Sequence, residues 1–229
     1  MTLRQNISTS TSRLALSAAL LAASLYASGQ GKTFAIEKDS VPLFNGFSVA
    51  INVSGPVVRA LGDYGEYEAA LRLNLHDQYF PVVEVGYGDS EHDDEVTGLY
   101  YKARAPYFRA GCDLNILKKK HGPNRLYAGL RYAFTAYKVD IARPTFDDPV
   151  WQWPTGFAIS GENCNQHWAE VVLGLQTKIA GPVHLGWSVR YKMRLAHKDS
   201  SAGNTWYVPG YGKYGGTRIG ADFNVVIDI

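Results

Sequence analysis

The 229-residue chain is 46% hydrophobic and holds 15 Tyr, 5 Trp and 23 Gly, a load that suits strands and tight turns and argues against a helical protein. Its formal charge is +2, but residues 1–29 contain two arginines and no acid, and without them 21 basic face 21 acidic side chains, a neutral balance in which nothing argues for nucleic acid. No stretch reaches the roughly 18–20 consecutive apolar residues of a spanning helix, so helical membrane architecture is excluded as well.

At the amino end, Arg4 and Arg13 precede an apolar run, Leu14 to Leu25, and then the small residues Ala27-Ser28-Gly29. This order is that of a signal peptide cut before Gln30, so residues 1–29 are expected to be removed and the rest exported. The fragment Gly29-Gln30-Gly31-Lys32-Thr33 imitates a phosphate-binding loop, but the first glycine of that motif is replaced by Tyr26 and no strand precedes it. Residues 30–44 are expected to be a short periplasmic segment, and residues 45–229 a barrel.

Period-two alternation then marks eight strands, at about 45–54, 66–75, 80–88, 106–117, 125–137, 167–179, 183–195 and 216–229. Most reach the roughly 9–11 residues of a tilted membrane strand. Their connections alternate in length. His76 to Tyr79, Lys118 to Asn124 and Ala180-Gly181-Pro182 are short, as periplasmic turns are; Gly55 to Gly65, Asp89 to Ala105, Lys138 to Gln166 and Ala196 to Gly215 are long, as extracellular loops are. In the last strand Ile219, Ala221, Phe223, Val225, Ile227 and Ile229 face one way. Arg218, Gly220, Asp222, Asn224 and Asp228 face the other, with Val226 the exception.

A soluble, lipocalin-like barrel would share this periodicity. The glycines decide between the two: Gly86, Gly88, Gly111, Gly129, Gly174, Gly186 and Gly220 all fall on the polar face, where a narrow interior crowded by arginines needs small residues. Continuous bulk on the other face, such as Leu71, Leu73 and Leu75 or Leu185, Trp187, Val189 and Tyr191, suits lipid. The expected fold is therefore an all-β, eight-stranded antiparallel up-and-down transmembrane β-barrel with short periplasmic turns and long extracellular loops, in the outer membrane of a Gram-negative cell. Cys112 reads as mid-strand and Cys164 as the end of a long loop, which leaves a disulfide open.

The stretches DYGEYEAALRLNLHDQYFPVVEVGYG (63–88), VTGLYYKARAPYFRAGCDLN (96–115), HWAEVVLGLQTKIAGPVHLGWSVRYKMRL (167–195) and GNTWYVPGYGKYGGTRIGADFNVVIDI (203–229) resemble an uncharacterised family of small Bacteroidota outer-membrane barrels. That family carries only a "domain of unknown function" label. The resemblance covers nearly all of the exported chain, implies the fold and the membrane, and assigns no activity.

The alternation directs Glu66, Glu68, Arg72, Glu84, Arg109, Asp113, Arg131, Glu170, Arg190, Lys192, Arg194, Arg218, Asp222 and Asp228 into the lumen. Eight strands enclose only enough room for side chains, so these charges are expected to pair as a filled, structural interior. Loop aromatics Trp151, Trp153, Phe157, Trp206, Tyr207 and Tyr211 are expected either to stack as a lid or to contact a partner. Asp89 to Glu95 packs five carboxylates and a histidine into a loop chemically suited to calcium but without EF-hand spacing, so a solvated acidic tip is the plainer reading. Lys118, Lys119, Lys120 and His121 read as solvated turn charge.

His184 with Ser188, Asp89-Ser90 with His92, and His197 with Asp199 and Ser200 combine residue types found in hydrolases, but polar loops produce such groupings freely. The expectation is a non-enzymatic structural or binding module without cofactor or metal, an accessory subunit of a complex for protein assembly, secretion or uptake. A narrow channel for small or hydrophobic solutes is the alternative, and a lipid-modifying enzyme the third. Outer-membrane lipid, lipopolysaccharide and other outer-membrane or periplasmic proteins are the expected partners, and nucleic acid is not.

Overall fold

The computed structural model describes residues 42–147, 154–201 and 203–229. Residues 1–29, expected to be a signal peptide, residues 30–41 of the expected periplasmic segment, Trp151 and Trp153 lie outside the described residues. Strands β1 (Phe44–Asn52), β2 (Tyr64–Leu75), β3 (Tyr79–Asp94), β4 (Leu99–Asn115), β5 (Arg125–Asp147), β6 (Pro154–Ala180), β7 (Val183–Lys198) and β10 (Thr217–Asp228) run antiparallel, each beside its neighbour, and β1 pairs with β10 to close the ring. A helix, α1 (Ser54–Leu61), joins β1 to β2, and a small hairpin of β8 (Tyr207–Val208) and β9 (Gly212–Lys213) lies between β7 and β10.

All eight expected strands are present in order, and three junctions are as short as expected. The β2–β3 turn is made by His76 and Asp77 with φ of 60° and 53°, the left-handed pair that a tight hairpin with right-handed twist demands. The connections on the opposite side differ from the expectation. Most of Asp89–Ala105 and Lys138–Gln166 is strand, so β3 to β6 continue as long hairpins, and Cys164 lies within β6. Cys112 points outward and Cys164 inward, and both thiols are free. Gly55–Gly65 contains α1, because Asn52 Oδ1 accepts from the amides of Ser54 (2.9 Å) and Gly55 (3.1 Å) and so satisfies the first turn.

The faces sort as the alternation requires. Leu71, Val83, Phe108, Leu130, Tyr132, Val171, Trp187, Val189 and Phe223 form an exposed outer belt, while Glu84, Arg109, Asp113, Arg131 and Glu170 are buried in the lumen. This inside-out distribution is that of a transmembrane barrel. Further along the same strands the pattern inverts. Beyond Tyr87, Pro106 and Phe134 the outward positions become Asp89 and Glu91, Arg104 and Lys102, and Lys138 and Asp140. The inward positions become Ala103, Ala105, Tyr137, Val139 and Ile141, which pack with Trp168, Val208 and Tyr211 into an apolar core. The level of inversion marks where lipid gives way to water. Leu130→Arg on the belt is expected to cost about 2–4 kcal/mol, and Ala142→Arg beyond the inversion less than about 1 kcal/mol, read as denaturant midpoints of the lipid-reconstituted protein.

Candidate functional site

Each strand contributes to the lumen at the level its register sets. β3 opposes β4 so that Glu84 lies beside Arg109, and β5 opposes β6 so that Arg131 lies beside Glu170. Glu84 is the hub, accepting from Arg190 Nη1 (2.7 Å), Arg131 Nε (3.0 Å) and Arg109 Nη1 (3.4 Å). Arg131 grips Asp113 through both terminal nitrogens, at 2.6 and 3.0 Å, and Arg72 Nε lies 3.2 Å from the same carboxylate. Glu68 accepts from Arg190 Nη2 (3.2 Å), from the Tyr107 hydroxyl (2.8 Å) and from Arg109. Glu170 accepts from the Trp168 indole at 2.6 Å and from Arg190 Nη1 at 3.2 Å. Arg190 also pairs with Asp222, which Asn52 Nδ2 bonds at 3.0 Å, so that β1 joins the array and all eight strands are tied across the lumen.

The expected small residues make this crowding possible. A Cβ on Gly129 would stand 1.9 Å from Asp113 Oδ1, and one on Gly86 or Gly174 would enter the ring of Tyr107 or Tyr127. Of the expected interior charges, Glu68, Arg72, Glu84, Arg109, Asp113, Arg131, Glu170, Arg190 and Asp222 form the network. Lys192 points inward but donates to Gly210 O at 2.7 Å. Arg194 and Arg218 lie outside the network: Arg194 stacks over Tyr214, 4.8 Å from the ring centre, and Arg218 donates to the carbonyls of Lys213 and Tyr214. Those two hold the returning loop.

That loop is the main departure from the sequence reading. Tyr207 and Tyr211, expected either to stack with the other long loop as a lid above the barrel or to contact a partner, are buried inside it, because residues 205–211 turn into the barrel mouth. Arg109 Nη2 and Lys192 Nζ both donate to Gly210 O at 2.7 Å, and the Tyr207 hydroxyl donates to Glu66 Oε1 at 2.8 Å. Gly210 has φ +79°, and a Cβ there would stand 2.4 Å from the Tyr107 ring, so only glycine fits. Tyr211 meets Trp168 edge to face at 5.7 Å. Trp206 stays at the rim, stacked on His92 at 4.0 Å, and Phe157 is exposed on β6. The sequence signal for the inserted loop was the run Val208-Pro209-Gly210, small and apolar between two tyrosines, opposite the apolar inward positions of β4 and β5.

The acidic stretch 89–95 is strand down to Asp94, and three of its carboxylates are engaged: Asp89 with Arg104 (2.7 Å) and Arg59 (3.3 Å), Glu91 with the Tyr100 hydroxyl (2.6 Å), and Asp94 with the Val96 amide (2.9 Å). No group of three metal-binding side chains occurs among the described residues. His197 and Asp199 do meet, at 2.6 Å, but Ser200 donates to Gly203 O at 2.9 Å. Ser90 donates to Ala103 O at 3.3 Å while His92 pairs with Asp63, and His184 bonds Pro182 O.

At the other end of the lumen, Lys120 donates to Gln78 Oε1 (2.8 Å) and His121 pairs with Asp77 (2.8 Å), so this turn is docked rather than only solvated. Burial raises the Asp77 carboxyl, but hydrogen bonds from His121, Asn74 and Asn45 outweigh it and hold it below the usual carboxylate range.

Fold and lumen together define a closed, side-chain-filled eight-stranded membrane barrel. The chain belongs to the family described as a domain of unknown function, DUF6048, whose model matches residues 11–228. No curated protein matches it. Among solved structures it is similar to a major outer membrane protein from Thermus thermophilus, at 10% identity and a TM-score of 0.45, over 80% of this chain and 98% of that one.

Two outcomes follow. Glu84→Gln leaves three guanidinium groups short of their shared anion and is expected to destabilise the barrel by about 3–5 kcal/mol, read from urea refolding midpoints. The Asp77 contribution is complete above the ordinary aspartate value of about 3.9 and is lost as pH falls through its lower native value. Hydrogen-exchange protection at the β2–β3 turn, taken relative to the intrinsic rate at each pH, should therefore fall in acid for the wild type, and Asp77→Asn should remove that dependence.

Proposed function

We propose that the protein is an outer-membrane barrel, exported by the signal in residues 1–29, whose lumen is a structural core and whose work is done at its surfaces. In this reading it is a non-enzymatic structural or binding module, an accessory subunit of a larger outer-membrane machine for protein assembly, secretion or uptake. The single observation that carries it is the filled lumen. A charged network joins every strand at mid-barrel, and an inserted loop with an apolar core fills the mouth above it. Transport through the centre would require breaking both layers.

The surfaces left for function are substantial. Beyond the inversion, β5 and β6 form the longest hairpin of the described barrel, with Phe157 exposed on it. The outer belt supplies lipid and lipopolysaccharide contact. Ser90 donates to Ala103 O, Ser200 to Gly203 O and His184 bonds Pro182 O, engagements with the main chain that favour a binding module over a lipid-modifying enzyme.

The test is extraction of the tagged, full-length protein from its own membranes in mild detergent. A fixed, stoichiometric set of outer-membrane or periplasmic proteins is expected to accompany it; recovery as a lone, heat-modifiable monomer would refute the subunit reading. In planar bilayers the purified barrel is expected to show no discrete openings, and reproducible single-channel steps would return the narrow channel to first place.

A further inference from the structure

The seams of the barrel are unequal. β10 pairs with β7 over eleven residues, Thr217 to Ile227, but with β1 over only five, ending at Asn52 opposite Asn224. Above Asn52 the chain leaves the sheet and α1 takes the place of the missing strand. The helix is fixed to β2, backbone against backbone: a Cβ on Gly55 would stand 1.8 Å from Glu66 O. Toward β10 it is held by Val53 N–H donating to Phe223 O (2.9 Å) and Phe223 N–H donating to Ser54 Oγ (3.2 Å). Because Phe223 turns both main-chain groups away from β7, so do Ala221 and Ile219, two and four residues back along the strand. Their amides and carbonyls face α1 above the end of β1.

A cavity of about 550 Å³ opens at this point between α1 and β10, a size typical of small-ligand sites. One side is apolar and continuous with the outer belt, through Val58, Ala221 and Ile219, the last 77% exposed. The other side reaches the barrel mouth, where Lys213 and Arg218 line it. The acids at its back are already compensated: Glu66 by Tyr207 and Arg109, Asp222 by Arg190 and Asn52. Lys213 and Arg218 are not. Arg218 is held by carbonyl oxygens, and the Lys213 ammonium lies over the rings of Trp206 (5.1 Å) and Tyr64 (6.0 Å). Neither has a carboxylate partner among the described residues.

We propose that this lateral cleft binds an anionic amphiphile with a single acyl chain, its headgroup held by Lys213 and Arg218 and its chain leaving past Ile219 and Val58 into the lipid. The inference rests on the membrane reading, since the chain approaches from the belt. It deepens the binding-module function by naming a ligand class.

Full-length protein in lipid discs of zwitterionic phosphatidylcholine would be titrated calorimetrically with dodecanoate and with dodecyl phosphate, and with dodecanol as the uncharged chain, after subtraction of empty discs. Saturable one-to-one binding of either anion, in excess of dodecanol, is expected; the tighter anion tells a carboxylate from a phosphate headgroup. Lys213→Gln, which alters an exposed side chain, should weaken the anion about tenfold, consistent with one lost charge contact. Ala221→Trp should fill the cleft and abolish binding. Heat no greater than in empty discs, or affinity unchanged in both variants, overturns the proposal. The heat-dependent gel mobility of protein recovered from the discs reports insertion separately, so failure of the membrane reading is distinguished from failure of the site.

Discussion

The lumen of an eight-stranded barrel has room only for side chains, and in this protein the constraint is met by arginine and carboxylate in nearly equal number. Arg190 alone reaches Glu68, Glu84, Glu170 and Asp222, residues of β2, β3, β6 and β10. Buried ion pairs do little better than an apolar core of the same volume, so raw stability is a weak explanation for such an array. Register is a better one. A one-residue slip of any strand would move its charge from the lumen into lipid and a leucine or valine into the gap left behind. In the observed register every arginine of the network faces a carboxylate, and the outer belt, the turns and the loop positions all inherit that register.

The strands carry two environments end to end. In their lower part polarity lies inside and hydrophobicity outside; above Tyr87, Pro106 and Phe134 the order is the reverse, as in a water-soluble protein. The inversion lets one continuous hairpin leave the bilayer without a loop. It also gives the inserted residues 205–211 an apolar wall to pack against, with Gly210 O as the point where the two environments meet through Arg109 and Lys192.

Strand number, order and facing were legible because period-two alternation samples each strand many times, and because bulky and charged residues separate cleanly between the faces. The nine-residue charge network followed from the same parity. The continuation of β3 to β6 was not legible, since the outward positions turn polar there and the apolar rhythm that marks a membrane strand stops at the inversion. The fate of Tyr207 and Tyr211 depends on contacts with Glu66 and Trp168, residues far away in the chain, so the run Val208-Pro209-Gly210 becomes a signal only once the apolar inward positions of β4 and β5 are known. Arg194 and Arg218 share the parity of the network but lie one level too high to reach it. The cleft beside α1 arises from the inequality of two seams, a property of the closed ring rather than of any segment.

The inserted loop immediately precedes β10 in the chain, and β10 makes the closing seam. Arg109 and Lys192 hold the loop through Gly210 O, and Arg218, near the start of β10, holds the carbonyls of Lys213 and Tyr214. The plug and the closing strand are therefore mechanically coupled: a pull that drew residues 205–211 out of the mouth would load the first residues of β10, so the plug and the seam resist the same force.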